Sequence, residues 1–391
     1  MAIRASVPKA LALILLAPAL AQAQPAPDAA TAEVHAPKER RLEGGEHDGH
    51  LFREQHAILS TGEVAYGIAY KACVDPAHGD QVVPLEGYLG MPQPCSCNWY
   101  HSGFLFISLN GRDIGTTPLS SMMATETGQR GILDMVWHDQ AADVRVRFVA
   151  LPGADWLGCE VAIDPTVETT SVAIGLRCYP SFFTAWHNRD GARRIQTPSQ
   201  LIEQGDDVTI PVAENWWGVY YDEIFDVAKG EGSGPCAMLV LPDDASDVRF
   251  APGSYAVSTT ITCPADARRV RLAFWDLKGM TNEEALAQVR AEADEVRATL
   301  EGADFTPRAV QQFDVAEVRE SLERALANES IREALADRID EIQGWLEQQP
   351  AEAGGEADVE DIRGQEQLLQ SIDDYNSFKW HVKLLELIHG L

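Results

Sequence analysis

Basic residues are scarce in this sequence, and so are long apolar runs. The 391 residues include 31 Lys and Arg against 60 Asp and Glu, a formal net charge of −29. A charge of this sign excludes a polycation built to bind nucleic acid through its phosphates. After the first 25 residues, no apolar run approaches the ~20 residues that a membrane-spanning helix requires. We therefore expect a mature chain without a transmembrane segment and without a nucleic-acid partner.

The sequence also lacks the short motifs of several common enzyme families. It contains no Gly-x-Ser-x-Gly, no Walker-type loop, no Gly-x-Gly-x-x-Gly and no His-Glu-x-x-His. Their absence disfavours the commoner hydrolases, nucleotide enzymes and zinc proteases. We accordingly predict neither a cofactor nor a metal ion. A hydrophobic content of 45% nevertheless predicts an ordinary globular core.

The N-terminus has the layout of a cleavable secretion signal. Arg4 and Lys9 precede the apolar residues 10–20, and the small-x-small triplet 21–23 follows them. A buried N-terminal helix is the alternative, but the run is short and contains Pro18. We expect cleavage after residue 23 and export to the periplasm or the extracellular space. The exported chain would carry a net charge of −31, because the signal removes two basic residues.

Four of the seven cysteines fit disulfides across hairpins. Residues that face each other on antiparallel strands have a constant index sum. The pair Cys159 and Cys178 and the pair Cys236 and Cys263 are each centred on a turn-like segment. An oxidising compartment favours such bonds, so we predict both disulfides. The alternative is that these residues are buried free thiols.

The remaining cysteines leave two alternatives open. Cys73 could bond to Cys95 or Cys97, which leaves one thiol over. Together with His101 the three cysteines also have the ligand types of a zinc site, but their spacing matches no familiar zinc pattern. We predict a disulfide there rather than a metal. Residues 46–50 could bind a metal ion adventitiously, and we interpret them as part of a solvated tail.

Composition and periodicity divide the chain into six segments. These are a signal peptide (1–23), a flexible leader (24–50), a β-sandwich domain (51–279), a helical region (280–348), a linker (349–357) and a C-terminal helical segment (358–391).

The segment 51–279 has almost only strand signals. Asn110-Gly111 predicts a tight hairpin turn, and residues 144–149 alternate between apolar and polar side chains. Further candidate strands recur at short intervals without helical crossovers between them. Such a series predicts a large antiparallel two-sheet β-sandwich, of the supersandwich kind, rather than a parallel α/β sheet.

The sequence pattern changes from strand signals to helix signals after Gly279. Three candidate capping boxes begin at Thr281, Asp314 and Ser330, and each precedes apolar residues at helical spacing. Residues 281–391 contain 10 basic and 26 acidic residues, a net charge of −16. We interpret the acidity as solvated helical faces; a surface for a protein partner or for self-association is the alternative.

Clustered aromatic residues suggest a carbohydrate ligand. Around the predicted strand 214–223, Trp216, Trp217 and Tyr220 offer rings that can cover the C–H face of a sugar. Glu214 and Asp222 offer carboxylates for its hydroxyls. Core packing is the alternative for each ring.

A second dense segment lies at 186–194. Trp186 and Asn188 are predicted substrate contacts, and His187 and Arg189 are speculative catalytic residues, with His187 as a general acid or base. Arg189 or Arg193 could hold a carboxylate or sulfate. A surface turn stabilised by Asp and Arg is the alternative.

These observations lead to two hypotheses of different classes. The first is an exported β-sandwich protein that recognises a carbohydrate, with processing of that sugar as an extension. The second is an envelope scaffold or assembly protein that acts through its acidic helical C-terminal region. The sequence alone does not decide whether the chain is an enzyme.

Overall fold

The computed structural model describes residues 29–78, 81–83, 93–94, 104–178, 180, 192–229, 234–348 and 361–389. Within these residues, twenty-one strands form three sheets. The strands are β1 (Thr31–Val34), β2 (Lys38–Arg41), β3 (Leu51–Ser60), β4 (Ala65–Asp75), β5 (Gln81–Val83), β6 (Gln93–Pro94), β7 (Leu105–Leu109), β8 (Arg112–Asp113), β9 (Leu119–Glu126), β10 (Gly131–His138), β11 (Ala142–Ala150), β12 (Trp156–Pro165), β13 (Val172–Cys178), β14 (Arg193–Gln196), β15 (Leu201–Glu203), β16 (Val208–Pro211), β17 (Trp217–Asp222), β18 (Cys236–Val240), β19 (Asp247–Pro252), β20 (Val257–Cys263) and β21 (Arg269–Asp276).

The strand pairings are antiparallel, as the sequence predicts. The large sheet has the strand order β15-β14-β17-β18-β21-β12-β11-β10-β9, and the small sheet has the order β16-β19-β20-β13-β7-β8. The N-terminal sheet has the order β1-β3-β4-β5, with β2 paired to β3 and β6 paired to β4. The predicted fold class, a large antiparallel β-sandwich followed by helices, is confirmed.

The main core lies between the large sheet and the other two sheets. From β11, Val144, Val146 and Phe148 enter this core, and β20 alternates between buried and more exposed residues along its length. Period-two patterning therefore sets which face each strand buries. The predicted hairpin at Asn110-Gly111 is also confirmed, because Leu109 pairs with Arg112 across a turn in which both residues have positive φ.

The region 24–50 is not a flexible leader throughout, which corrects the sequence-based prediction. β1 pairs with β3 from Thr31 to Val34, and β2 pairs with β3 from Lys38 to Arg41. Gly131 of β10 lies so close to the Thr31 carbonyl that a Cβ atom there would collide with it. The alanine, proline and glycine content of this region hid two short strands that depend on partners elsewhere in the chain.

The described cysteines form no disulfides, so both predicted pairs are wrong. Cys159 lies on β12 of the large sheet, whereas Cys178 lies on β13 of the small sheet. Cys236 and Cys263 are likewise divided between β18 and β20. The index-sum argument fails because the chain crosses from one sheet to the other between the two members of each pair. All four are buried cysteines outside any disulfide among the described residues, as is Cys73. Cys95, Cys97 and His101 lie outside the described residues.

Six described helices follow the strands. They are α1 (Asn282–Gly302), α2 (Arg308–Gln311), α3 (Val315–Ala327), α4 (Glu329–Ala334), α5 (Ala336–Gln348) and α6 (Ile362–His389). Along the described chain, no helix combines the length and the apolar character needed to cross a membrane. The predicted linker at 349–357 and the predicted signal at 1–23 lie outside the described residues.

Helix α1 covers the outer face of the large sheet. Val289, Val296 and Leu300 of α1 share a buried cluster with Trp217 and Trp275 of the sheet. Helices α3 to α6 form a separate small core that includes Val318, Ile339 and Phe378. Central strands such as β11 are therefore buried on both faces, one by the sandwich core and the other by helices.

The predicted capping boxes have different outcomes. Thr281 and Glu284 form the reciprocal pair at the start of α1, and Asp314 caps α3 by accepting from two backbone N–H groups. Ser330 is not a cap, which corrects the third prediction. Asn328 begins α4 instead, because its side chain accepts from the N–H groups of Ser330 and Ile331.

Candidate functional site

The predicted loop site lies outside the described residues. This applies to the predicted substrate contacts Trp186 and Asn188 and to the speculative catalytic pair His187 and Arg189, whose roles stay predictions. Arg193, the other candidate for holding an anion, is described. It is fully buried and donates to the Ser254 carbonyl at 2.9 Å. A bound carboxylate or sulfate cannot reach a guanidinium in this position without rearrangement of the core.

The predicted aromatic strand is divided between two faces of the large sheet. Tyr220 points into the main core, where its hydroxyl lies 3.0 Å from Thr259 Oγ1. Burial raises the pKa of Tyr220 well above its ordinary value. Trp217 points outward but lies under α1, with 6% of its surface exposed. Both rings have packing roles here, and their contact with a sugar stays a prediction.

The polar residues predicted beside these rings are also separated. The buried Asp222 carboxylate accepts from the backbone N–H groups of Ala192 at 2.9 Å and Ile224 at 3.1 Å. It also lies beside Arg193, whose pKa is lowered by burial and partly restored by this carboxylate. Glu214, by contrast, is exposed in the turn before β17. Asp222 is therefore buried at the end of β17, whereas Glu214 is exposed on the surface.

The outer face of β14 and β15 forms a surface beside α1. Helix α1 packs on β17, β18 and β21, and the strands beyond β17 present their outward side chains next to it. We call this surface the α1 flank. It comprises Arg194, Gln196, Leu201, Glu203, Trp216, Tyr221, Glu223, Arg290 and Arg297.

Aromatic and charged groups alternate along the α1 flank. The guanidinium of Arg297 lies 5.5 Å from the ring centre of the half-buried Trp216. Arg194 donates to both carboxylate oxygens of Glu223, at 3.1 and 3.2 Å, and lies 3.3 Å from Glu203. Tyr221 is half-buried among them. Its pKa is raised by burial and by Glu223, while Arg194 and Arg290 act in the opposite direction.

A network of buried charges occupies the same outer face further along the sheet. Arg147 donates to both oxygens of Asp134, at 2.6 and 2.8 Å, and to the Phe305 carbonyl at 3.0 Å. Complete burial alone would lower the pKa of Arg147, but Asp134 outweighs it and raises that pKa. Burial and the nearby Arg147 lower the pKa of Arg145 to about 10. Arg145 donates to Gln365 of α6 at 2.6 Å.

The network continues to the first two turns of α6. His138 lies between two carboxylates, with Nδ1 at 2.8 Å from Asp143 and Nε2 at 2.6 Å from Glu366. Arg363 also contacts Asp143. These contacts attach α6 to the large sheet. The alternation of Val and Arg at 144–147 was the sequence signal for charges on a covered face, because arginines at every second position of a strand share one side.

The last three turns of α6 leave an apolar face exposed. Trp380, Leu384, Leu387 and Ile388 are 72%, 52%, 79% and 65% exposed, respectively. We call these four residues the terminal stripe. Lys383 lies beside it, with its ammonium 5.8 Å from the ring centre of Trp380. The sequence predicted apolar residues in this helix but not that these four remain more than half exposed.

Comparisons with known proteins identify no family for the chain. No protein-family model matches it, and no curated protein matches it. Among solved structures, it is similar to a putative aldose 1-epimerase from Klebsiella pneumoniae, with 10% identity and a TM-score of 0.37 over 68% of this chain and 96% of that one. An α-N-acetylgalactosaminidase from Bifidobacterium bifidum has 13% identity and a TM-score of 0.38, over 76% of this chain and 42% of that one.

A third similar structure extends into the helical region. It is a TPR-domain containing protein from Parabacteroides distasonis, with 9% identity and a TM-score of 0.35 over 90% of this chain and 78% of that one. The first two neighbours are named for carbohydrate enzymes, and the third is not. Similarity at these TM-scores carries no inference about activity, so function has to be argued from the side chains.

Proposed function

We propose that this protein is an exported β-sandwich protein that recognises a neutral carbohydrate on its α1 flank. The observation that carries the proposal is the surface beside α1, where Trp216 and Tyr221 are half-buried next to three arginines and two glutamates. Export is proposed from the pattern of residues 1–23 alone. Sequencing the N-terminus of the secreted chain would test it, with a start at residue 24 expected.

The chemistry of the α1 flank suits hydroxyl groups. A sugar offers an apolar C–H face and a rim of hydroxyls, which match an aromatic ring beside guanidinium, amide and carboxylate groups. Gln196 supplies an amide oxygen, since its NH₂ group donates to two nearby backbone carbonyls, and Arg194 with Glu223 supplies both a donor and an acceptor. Most of these groups lie on strands or on α1, and Trp216 and Glu223 directly flank β17, so the fold holds them in place without a ligand.

The charge of the molecule decides between a neutral and an acidic sugar. A net charge of −29 repels a polyanion at long range. Of the two arginines predicted to hold a carboxylate, Arg189 lies outside the described residues and Arg193 is buried, and Arg194 already has two carboxylate partners. A neutral carbohydrate meets neither obstacle, so it is the ligand class that the α1 flank favours.

Calorimetric titration of the full chain with neutral gluco-, galacto- and manno-oligosaccharides tests the proposal. We expect at least one of them to bind, and we expect Tyr221→Ala and Trp216→Ala to weaken that binding by about tenfold or more, roughly 1.4 kcal/mol. The matched control is Tyr255→Ala, because Tyr255 is an exposed tyrosine on a turn of the small sheet. Binding of none of these sugars, or equal affinity in all variants, would overturn the proposal.

The terminal stripe favours a second candidate function, self-assembly through α6. Trp380, Leu384 and Leu387 follow the 4-3 spacing of a coiled-coil seam. Lys383 beside the stripe already pairs with Glu317 of α3 at 3.1 Å, so the exposed apolar residues and their spacing, rather than charge, favour a second copy. The occupant we propose is therefore the stripe of a second copy.

Light scattering coupled to size-exclusion chromatography tests this second function. We expect a concentration-dependent dimer for the full chain and a monomer for the double variant Leu384→Asp, Leu387→Asp. The control is Val227→Asp, because Val227 is an exposed apolar residue outside the helical region. A full chain that is monomeric at every concentration would exclude the second copy as the occupant.

A further inference from the structure

The turn between β2 and β3 carries two histidines that meet a cysteine of β4. His47 Nδ1 lies 3.3 Å from His50 Nδ1, and His50 Nδ1 lies 3.6 Å from Cys73 Sγ. The potential ligand atoms of the three side chains all lie within 4.8 Å of one another. We call this group the His-His-Cys cluster. It lies on the N-terminal sheet and shares no residue with the α1 flank or the terminal stripe.

The distances within the cluster correspond to ligands of one tetrahedral ion. Zinc binds histidine nitrogen at about 2.0–2.1 Å and cysteine sulfur at about 2.3 Å. At tetrahedral angles, these bond lengths separate two nitrogens by about 3.3 Å and a nitrogen from a sulfur by about 3.5 Å. Two of the three observed separations match these values, 3.3 Å between the two Nδ1 atoms and 3.6 Å between His50 Nδ1 and Cys73 Sγ. The ligand atoms of all three residues lie within 4.8 Å of one another. Atoms at these separations can share an ion with little movement of the backbone.

The turn that carries the histidines is held by its own hydrogen bonds. The Leu42 N–H donates to the His50 carbonyl at 2.9 Å, and the Gly49 N–H donates to the Leu42 carbonyl at 2.9 Å. The Gly44 N–H donates to Asp48 Oδ1 at 2.7 Å. Gly44 and Gly49 have φ angles of 75° and 80°, which a side chain would disfavour. The two imidazoles are thus presented by a closed turn rather than by a solvated tail.

The strand register brings the third ligand and a supporting carboxylate to the same place. Leu51 pairs with Val74 and Phe52 pairs with Cys73, so the position before β3, His50, is opposite Asp75. His50 Nε2 lies 3.7 Å from Asp75 Oδ2, on the side of the ring away from Nδ1. A carboxylate behind a ligating histidine is the usual arrangement in metal centres, where it orients the ring.

We propose that His47, His50 and Cys73 bind a zinc ion, with Asp75 as the residue that orients His50. Two imidazoles and one thiolate are ligand types that zinc prefers. Three protein ligands leave one tetrahedral position for water or another small ligand, an arrangement typical of zinc centres with an exchangeable site. This site is independent of the carbohydrate proposal, and either can fail without the other.

Metal analysis of the purified full chain tests the zinc site. The chain is incubated with Zn²⁺, freed of unbound metal and analysed for zinc by mass spectrometry; affinity is measured by competition with a chromogenic chelator. We expect one zinc per chain. With Co²⁺ in its place, we expect a thiolate-to-cobalt charge-transfer band, which reports a cysteine ligand, and we expect Cys73→Ser to abolish that band. A chain that retains no zinc, or a cobalt spectrum without that band, would overturn the proposal.

Substitution of each proposed ligand tests which residues bind the ion. We expect His47→Ala, His50→Ala and Cys73→Ser each to weaken zinc binding by about 100-fold or more, and Asp75→Asn to weaken it by about 10- to 100-fold. The matched controls are His35→Ala, a half-exposed histidine on the same sheet, and Cys159→Ser, a buried thiol elsewhere. Cys73 is buried, so Cys73→Ser can fail to fold. In that case His47→Ala, at a half-buried position, still tests the assignment. Unchanged affinity in His47→Ala and His50→Ala would contradict the assignment.

Discussion

At the residue scale, the charges buried on the outer face of the large sheet depend on their partners. Asp134 and Arg147 are each 1% exposed or less and form a two-point ion pair. Removing one partner leaves the other charge buried and uncompensated, which costs about 3–5 kcal/mol. We expect Asp134→Asn to lower the free energy of unfolding by an amount in this range, measured by urea denaturation.

The matched control for that change is an exposed pair of the same kind. Arg249 and Asp207 also form a two-point pair, but both side chains are more than half exposed. Water and salt screen such a pair, so Asp207→Asn should leave stability unchanged within error. Equal losses in Asp134→Asn and Asp207→Asn would show that burial does not set the strength of the Asp134–Arg147 pair.

Glu126 makes the free energy of unfolding depend on pH in the acidic range. Burial alone would raise its pKa, but Arg130 and Arg308 outweigh burial and lower the pKa below its ordinary value of 4.5. A pKa lowered on folding gives stability that is present above pH 4.5 and is lost as the pH falls through the pKa of the folded state. We expect Glu126→Gln to reduce this loss, seen as a flatter dependence of unfolding free energy on pH below about 5. A wild-type slope in the variant would contradict the assignment.

Several site residues illustrate what residue type alone cannot predict. Trp217 and Tyr220 are both aromatic residues of β17, yet Trp217 lies under α1 and Tyr220 lies in the main core. Which of two alternating faces receives a helix depends on residues more than 60 positions away. Trp216 differs from both because it precedes the strand and remains at the border of the helix.

At the scale of the element, the N-terminus of α4 shows which of two candidate residues makes the capping hydrogen bonds. Both Asn328 and Ser330 are residue types that favour the cap position, but only Asn328 accepts from the N–H groups of the first turn of α4. We expect Asn328→Ala to destabilise the helical bundle by about 1 kcal/mol. The control is Ser330→Ala, which should be neutral. Thermal unfolding followed by circular dichroism distinguishes them, and the reverse ranking would contradict the observed cap.

Helices and strands were predictable to different extents. The start of α1 follows from Thr281 and Glu284 because both partners of a capping box lie within four residues. Pairing partners of strands do not follow from local sequence, as Cys159 and Cys178 demonstrate: successive strands that resemble a hairpin belong to opposite sheets. The same limit hid β1 and β2, whose partner β3 alone gives them strand structure.

At the scale of the whole molecule, α1 packs its apolar face on the sandwich, whereas α6 contacts the large sheet mainly through the polar residues of its N-terminal end. Helix α1 buries Trp217, Trp275 and Leu239 of the large sheet, whereas α3 to α6 have a core of their own. We expect a chain ending at residue 312 to retain a folded sandwich and one ending at residue 279 to lose it. Protease resistance and circular dichroism measure this, and a stable fragment ending at 279 would contradict the role given to α1.

The net charge is also distributed unevenly over the folded molecule. Residues 281–391 hold −16 of it, while paired arginines and carboxylates occupy the outer face of the sandwich. Composition predicted the fold class and the acidic helices correctly. The His-His-Cys cluster was missed because His47 and His50 meet Cys73 only through the register of β3 on β4, although two histidines three residues apart were a visible signal.

Hydrogen–deuterium exchange of the full chain, with and without the tightest-binding neutral oligosaccharide, tests the central claim most directly. The account predicts slower exchange in β14, β15 and the part of α1 from Arg290 to Arg297, with no change around Tyr255. Protection confined to other parts of the chain would contradict recognition on the α1 flank, whatever the affinity for the sugar.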